Sequence, residues 1–372
     1  MLSGRTTAFV GAGRRRAPFA RMLHTHLPQF VSHFAAAGRH SLAFCHAATR
    51  ALGIMLSQQQ SPRMAFEMAL RRVRRGRDQR NLTAPRRKTF PALLLHYHIF
   101  KNAGTSFEWA LEQALGIENV LHLDKPSHDG YISSRDIIES VRNNPKIKVI
   151  TSHQAAPPPP RIRERAILSS ILIRDPIARI RSIYAFERAQ EVVHVGTVRA
   201  RELDFKGYVE WRLEASPRMF CNFQVYFCCR DRAWDQRMPD SADLDRAIRV
   251  LDKIDIVGTV ERYDEWLALA RAVVGEHFEG ISLPSTRQNV LTGERCATKE
   301  SIYHDLVRDL GPDTARYLLD NNELDICLHQ IADALLTRRL AERRVQLSLR
   351  ETYLTVSNPG EGQAWESDTG EG

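Results

Sequence analysis

The sequence predicts an α/β protein: a parallel sheet flanked by helices, with a helical C-terminal portion. Three observations carry this. Short apolar runs of strand length recur at residues 91–100, 146–151, 166–173 and 252–258. Segments with helical spacing lie between them, the alternation that builds a parallel sheet with helices on both faces. From residue 298 to about 349 the pattern is largely helical.

The elements follow in order. PALLLHYHIF (91–100) is a compact apolar strand, succeeded at once by the turn KNAGTS (101–106) and by FEWALEQALG. In the last segment Phe107, Ala110, Leu111, Ala114 and Leu115 fall on one helical face, and Gly116 is a stop. A strand, a short Gly-containing turn and a helix point free backbone N–H groups at an anion. Residues 133–143 read as a helix with Ser133 as its cap, and KIKVIT (146–151) as a strand. The prolines at 157–160 exclude helix and strand interior and predict an extended surface segment. AILSSILI (166–173) is a strand ending at Arg174, after which Asp175 caps a helix and Pro176 takes its first position. DKIDIVG (252–258) supplies a fourth strand, followed by a helix over 261–274.

The net charge of +9 over 372 residues is unevenly placed. Residues 1–90 hold 16 Arg and one Lys against Glu67 and Asp78, a net +15, whereas the other 282 residues are net −6. The basic character belongs to an N-terminal arm, which argues against a nucleic-acid-binding body. Residues 1–84 form this acid-poor arm, 85–350 the folded domain and 351–372 a flexible acidic tail. Three readings of the arm stay open: a targeting presequence, a surface-seeking basic segment that touches membranes peripherally, or translated sequence upstream of a start at Met55 or Met64. Residues 58–80, with the run RRVRRGR, read as a basic helix. The best apolar stretch, 41–56, is interrupted by His46 and Arg50 and falls short of a membrane span. Six cysteines show no paired CxxC arrangement, so buried free thiols in a reducing compartment are expected.

The phosphate loop of ATP- and GTP-binding proteins reads GxxxxGK[ST]. Here the order differs: Lys101 comes first and Gly104, Thr105 and Ser106 follow. HIFKNAGTSF (98–107) resembles the 5′-phosphosulfate loop of the P-loop sulfotransferases that use 3′-phosphoadenosine 5′-phosphosulfate (PAPS). The closest likeness is to their carbohydrate branch, heparan sulfate 2-O/6-O-like, whose usual form is H-I-P-K-T-[AG]-G-T-[ST]. Seven of those nine positions match; Phe100 stands for Pro and Asn102 for Thr. A strand–turn–helix junction with a merely solvated Lys101 is the plain alternative.

A second element supports the first. ILIRDPIARIRSIY (171–184) resembles the same family's 3′-phosphate element, R-D-P-x-x-R-x-x-S-x-Y, with Arg174, Asp175, Pro176, Arg179, Ser182 and Tyr184 all in place. Arg174 leaves a strand end, where ligands gather in open α/β sheets, and its planar fork suits a phosphate. The resemblance implies a P-loop NTPase-like sheet over about residues 90–335, with PAPS as donor. Lys101, Asn102, Gly104, Thr105 and Ser106 would hold the 5′-phosphate side, and Arg174 and Ser182 the 3′-phosphate. Weaker likenesses continue at 256–269 and 319–332.

Sulfuryl transfer is an in-line displacement that needs a held donor, a stabilised leaving group and a deprotonated acceptor. No metal is expected. Lys101 is placed for the leaving group. His153, two residues past a strand, should emerge at the same sheet edge, and an imidazole suits proton acceptance near neutrality. Glu108 and Glu112, one turn apart on the helix after the loop, are the competing bases. The expected function is sulfuryl transfer to a hydroxyl, of a carbohydrate by resemblance, in a cytoplasmic and membrane-peripheral setting; a Golgi-lumenal one requires an anchor supplied otherwise. The alternatives are a nucleotide kinase or NTPase, and a non-catalytic fold relative binding an anionic partner.

Overall fold

A computed structural model describes residues 92–127, 130–163, 165–230, 237–284 and 299–357, together with Glu67, Leu70 and Arg71. The chain divides into units 1–60 and 61–372, and the first lies wholly outside the described residues. The arm reading of 1–84 therefore falls almost entirely outside them, though Glu67, Leu70 and Arg71 are helical.

Among the described residues five strands form one parallel sheet: β1 (Leu93–Tyr97), β2 (Val120–His122), β3 (Val149–Ser152), β4 (Ile167–Ile173) and β5 (Ile256–Thr259), in the order β2-β3-β1-β4-β5. Every residue of β1 is buried, as the unbroken run LLLHY requires of a central parallel strand covered on both faces. The register places Leu95 beside Ile150 of β3 and Ser169 of β4.

The connections are helical. Helix α1 (Gly104–Leu115) follows β1, and α2 (Ser134–Asn143) precedes β3. After β4 come α3 (Pro176–Ala189), α4 (Val195–Glu202), α5 (Phe205–Ala215), α6 (Pro217–Phe220), α7 (Phe223–Cys229) and α8 (Ser241–Leu251). Beyond β5 lie α9 (Tyr263–Gly275), α10 (Lys299–Leu310), α11 (Pro312–Asp320) and α12 (Glu323–Ser357). One core cluster joins Leu95 and Ile150 of the sheet to Ile137, Val225, Leu244 and Leu328 from α2, α7, α8 and α12. The opposite cluster packs Leu94 and Leu172 against Phe107 of α1 and Trp266 of α9. A third, away from the sheet, binds α3, α5, α10 and α11 through Ile180, Tyr208, Leu306 and Leu318.

All four sequence-expected strands form, and both expected caps hold. Ser133 and Asp136 make a reciprocal capping box, and the Asp175 carboxylate accepts from the N–H groups of Ile177 and Ala178. Three features differ from expectation. The short edge strand β2 and the helices α4–α8 are not among the sequence-expected elements, although α8 has a clear apolar face and a capping box of Asp240 and Asp243. Pro157 and Pro160 are buried rather than on the surface. Helix α12 continues through residues 351–357, the first part of the stretch expected as a flexible tail, and 358–372 lie outside the described residues. Cys221, Cys228 and Cys229 are buried free thiols, and burial pushes Cys221 and Cys229 up to about 12, where a thiol is inert at neutral pH. No helix among the described residues is long and apolar enough to cross a membrane.

Candidate functional site

Strand order brings the sequence-selected residues together. β3, β1 and β4 are adjacent and parallel, so their C-terminal ends share one edge. His153 follows β3, Lys101 follows β1 and Arg174 follows β4. The chain leaves β1 toward β2 on one side, while β4 leads to β5 on the other, and such a switch in direction opens a crevice at the strand ends.

The loop between β1 and α1 has an unusual backbone. Lys101 and Ala103 both take positive φ, 65° and 59°. Non-glycine residues seldom do so, and strain of this kind collects at functional sites. Ala103 occupies the N-cap of α1 and gives no side-chain hydrogen bond to it. The first turn of α1 thus receives no side chain from its N-cap residue, and the positive end of the helix dipole lies at the loop. Gly104 is required by space: a Cβ there would lie 2.2 Å from Cδ2 of His98. Thr105 is exposed and Ser106 buried. The Lys101 ammonium lies 4.0 Å from the ring centroid of Phe186 on α3.

The RDPxxR element grips this loop. Arg174 Nη1 donates to the Lys101 carbonyl at 3.0 Å, and Arg179 Nε to that of Phe100 at 3.1 Å. Arg179 also donates to Met219 O and lies over the Phe223 ring, with no carboxylate in direct contact among the described residues. Burial pulls its pKa down to about 10, helped by the charge of Arg174 and opposed by Asp325. Arg179 is thus a buried brace. The hydroxyl of Ser182, two turns into α3, makes no hydrogen bond among the described residues.

Asn102 is held by the protein itself. Its amide donates to Leu172 O and to Gln224 Oε1, each at 2.8 Å, and its backbone N–H to Ile99 O at 3.0 Å. Every donor is committed to the protein, so Asn102 shapes the loop and offers nothing to a phosphate. Its partner Gln224 was not singled out from the sequence. Fully buried on α7, Gln224 also accepts from the Arg174 N–H at 2.9 Å and donates to the Arg174 carbonyl at 2.8 Å. Asp325 in turn accepts from the Gln224 N–H at 3.0 Å.

His153 sits beside His98, with ring centroids 3.9 Å apart. Its Nδ1 lies 2.9 Å from the His98 carbonyl oxygen, which only accepts, so Nδ1 carries the proton and Nε2 the lone pair. His153 is exposed overall, but loss of water around its ring and the neighbouring His98 lower its pKa, with Asp124 and Glu108 opposing, which favours the neutral ring. The competing bases are differently placed. Glu108 bonds His98 Nδ1 at 2.7 Å and Thr151 Oγ1. Burial alone would raise Glu108, but the hydrogen bond and charge of His98 hold it down at about 2. Glu112 accepts from His122 Nε2 at 2.9 Å.

The fold and site define a parallel α/β protein with a positive-φ loop at its switch point, between elements that carry arginine and histidine. No protein-family model matches the chain. It is similar to an uncharacterized protein of Archaeoglobus fulgidus, 29% identical over 240 residues that cover 63% of this chain and 94% of the relative.

Proposed function

We propose that this chain is a P-loop-like sulfotransferase that moves a sulfuryl group from PAPS to a hydroxyl, of a carbohydrate by motif resemblance. The observation that supports this is the joining of the two motif halves. Arg174 bonds the Lys101 carbonyl, and Gln224 bonds both Asn102 and Arg174. Two stretches about seventy residues apart thus form one unit at a switch point, where an anionic ligand would be expected.

The chain's own groups suit the step. The backbone N–H groups of Gly104, Thr105 and Ser106, at the start of α1, would receive the 5′-phosphate. Arg174 and Ser182 would receive the 3′-phosphate that separates this donor from ATP. In the transfer, the acceptor oxygen forms a bond to sulfur as the bond from sulfur to the leaving phosphate oxygen breaks. The acceptor proton passes to His153 Nε2, and Lys101 meets the charge left on the 5′-phosphate. A membrane-peripheral setting through the basic residues of 1–90 belongs to the same proposal. The test is transfer of labelled sulfate from PAPS to a panel of glycans by the full chain. Transfer by wild type and its loss in Lys101→Ala is the expected result; no transfer to any hydroxyl acceptor from PAPS would overturn the reading.

A further inference from the structure

The turn that carries His153 is held on both edges by side chains from distant parts of the chain. Asp124, in the segment after β2, accepts three hydrogen bonds at Oδ1: from the Ser152 hydroxyl at 2.9 Å, the His153 N–H at 2.9 Å and the Gln154 N–H at 3.1 Å. Arg230, just past α7, takes the opposite edge, with Nη2 donating to the carbonyls of His153 at 2.6 Å and Ala155 at 3.1 Å. The ring itself is fixed by the His98 carbonyl and the stack on His98. The peptide groups on either side of the His153 α-carbon are therefore tied, and the ring has one hydrogen-bonded orientation.

A β-strand end needs no such arrangement to terminate. Three donors converging on one carboxylate oxygen and two carbonyls on one guanidinium nitrogen fix a single backbone conformation. We infer that Asp124 is the positioning residue for His153, with Arg230 as its counterpart, together holding the imidazole with Nδ1 on the His98 carbonyl and Nε2 available as the base. This rests on the proposed role of His153 as proton acceptor. The charged and titratable groups facing its ring are His98 and His96 from β1 and its extension, Glu108 from α1, Asp124 and Arg230. Asp124 is the one of these that both contacts the turn and favours imidazolium.

The test is nitrogen NMR of the His153 ring in the full chain, assigned with His153→Gln, for wild type, Asp124→Asn and Asp124→Ala. Wild type should show the Nδ1–H tautomer. Asp124→Ala should lose that preference, and kcat for sulfuryl transfer should fall at least about 10-fold while KM for PAPS is unchanged. Asp124→Asn keeps an acceptor oxygen but removes the charge that favours imidazolium, so its His153 midpoint should fall. A wild-type tautomer in Asp124→Ala, or an unmoved midpoint in Asp124→Asn, overturns the inference. The ring measurements need no nucleotide. The predicted tautomer and midpoint changes in a protein that does not use PAPS would uphold the clamp and sink the sulfotransferase reading. PAPS use with an unchanged ring would do the reverse.

Discussion

The Nδ1 of His153 lies 2.9 Å from the carbonyl oxygen of His98, and the two rings stack with their centroids 3.9 Å apart. This relationship fixes which nitrogen carries the proton. It also ties the end of β3 to the end of β1, so the proposed base is anchored to the strand that leads into the Lys101 loop.

From this follows the pH profile. A base must be neutral to act, and loss of water around the ring and the neighbouring His98 lower the His153 pKa from its ordinary value near 6.5. The acid limb of kcat against pH should therefore fall below the usual imidazole range, with the rate flat through neutrality. His153→Ala should lower kcat by about 100-fold or more. Binding of the desulfated donor, 3′-phosphoadenosine 5′-phosphate (PAP), should be unchanged. Steady-state kinetics across pH and nucleotide titration check the two halves.

Gln224 should prove as important to the donor site as the motif residues, although it would touch no ligand. Gln224→Leu keeps the bulk but leaves the Asn102 amide and the Arg174 main chain short of partners in a buried place. The expected cost is about 2–4 kcal/mol of stability by urea unfolding. PAP affinity should drop as well, because Asn102 and Arg174 lose their common anchor. Unaltered affinity would show that the two halves are held together by other means.

Glu108 should govern acid stability. Burial works to raise its pKa, yet His98 and Thr151 hold it down at about 2 in the folded state. A carboxyl depressed on folding contributes stability above its unfolded pKa, near 4.3, and loses that contribution as pH falls toward 2. Wild type should accordingly exceed Glu108→Gln by on the order of 3 kcal/mol at pH near 6. The difference should shrink steadily below pH about 4, as denaturant unfolding over that range would reveal.

How much of this was legible in the sequence depends on how local each signal is. Asp175 and Pro176 sit side by side at a helix start, and Ser133 stands three residues before its partner Asp136, so both caps could be read directly. Lys101, His153 and Arg174 each follow a strand of clear apolar character, and parallel strands send such residues to one edge. The bonds that hold Asn102 could not be read because its partners, Leu172 and Gln224, are 70 and 122 residues away. Gln224 and Asp124 carry no motif, and only the fold brings their side chains to the site. The three residues of β2 are too few to show a period. Pro157 and Pro160 are buried because the turn after β3 folds inward, which a proline run does not announce.

The most direct measurement is calorimetric titration of the full chain with PAP beside ATP, in wild type and Ser182→Ala. Ser182 is the better probe than Arg174, whose loss would also release the Lys101 carbonyl. The account predicts that PAP binds, that ATP binds much more weakly, and that Ser182→Ala narrows the gap by weakening PAP alone. Equal binding of the two nucleotides, or binding of neither, would contradict it.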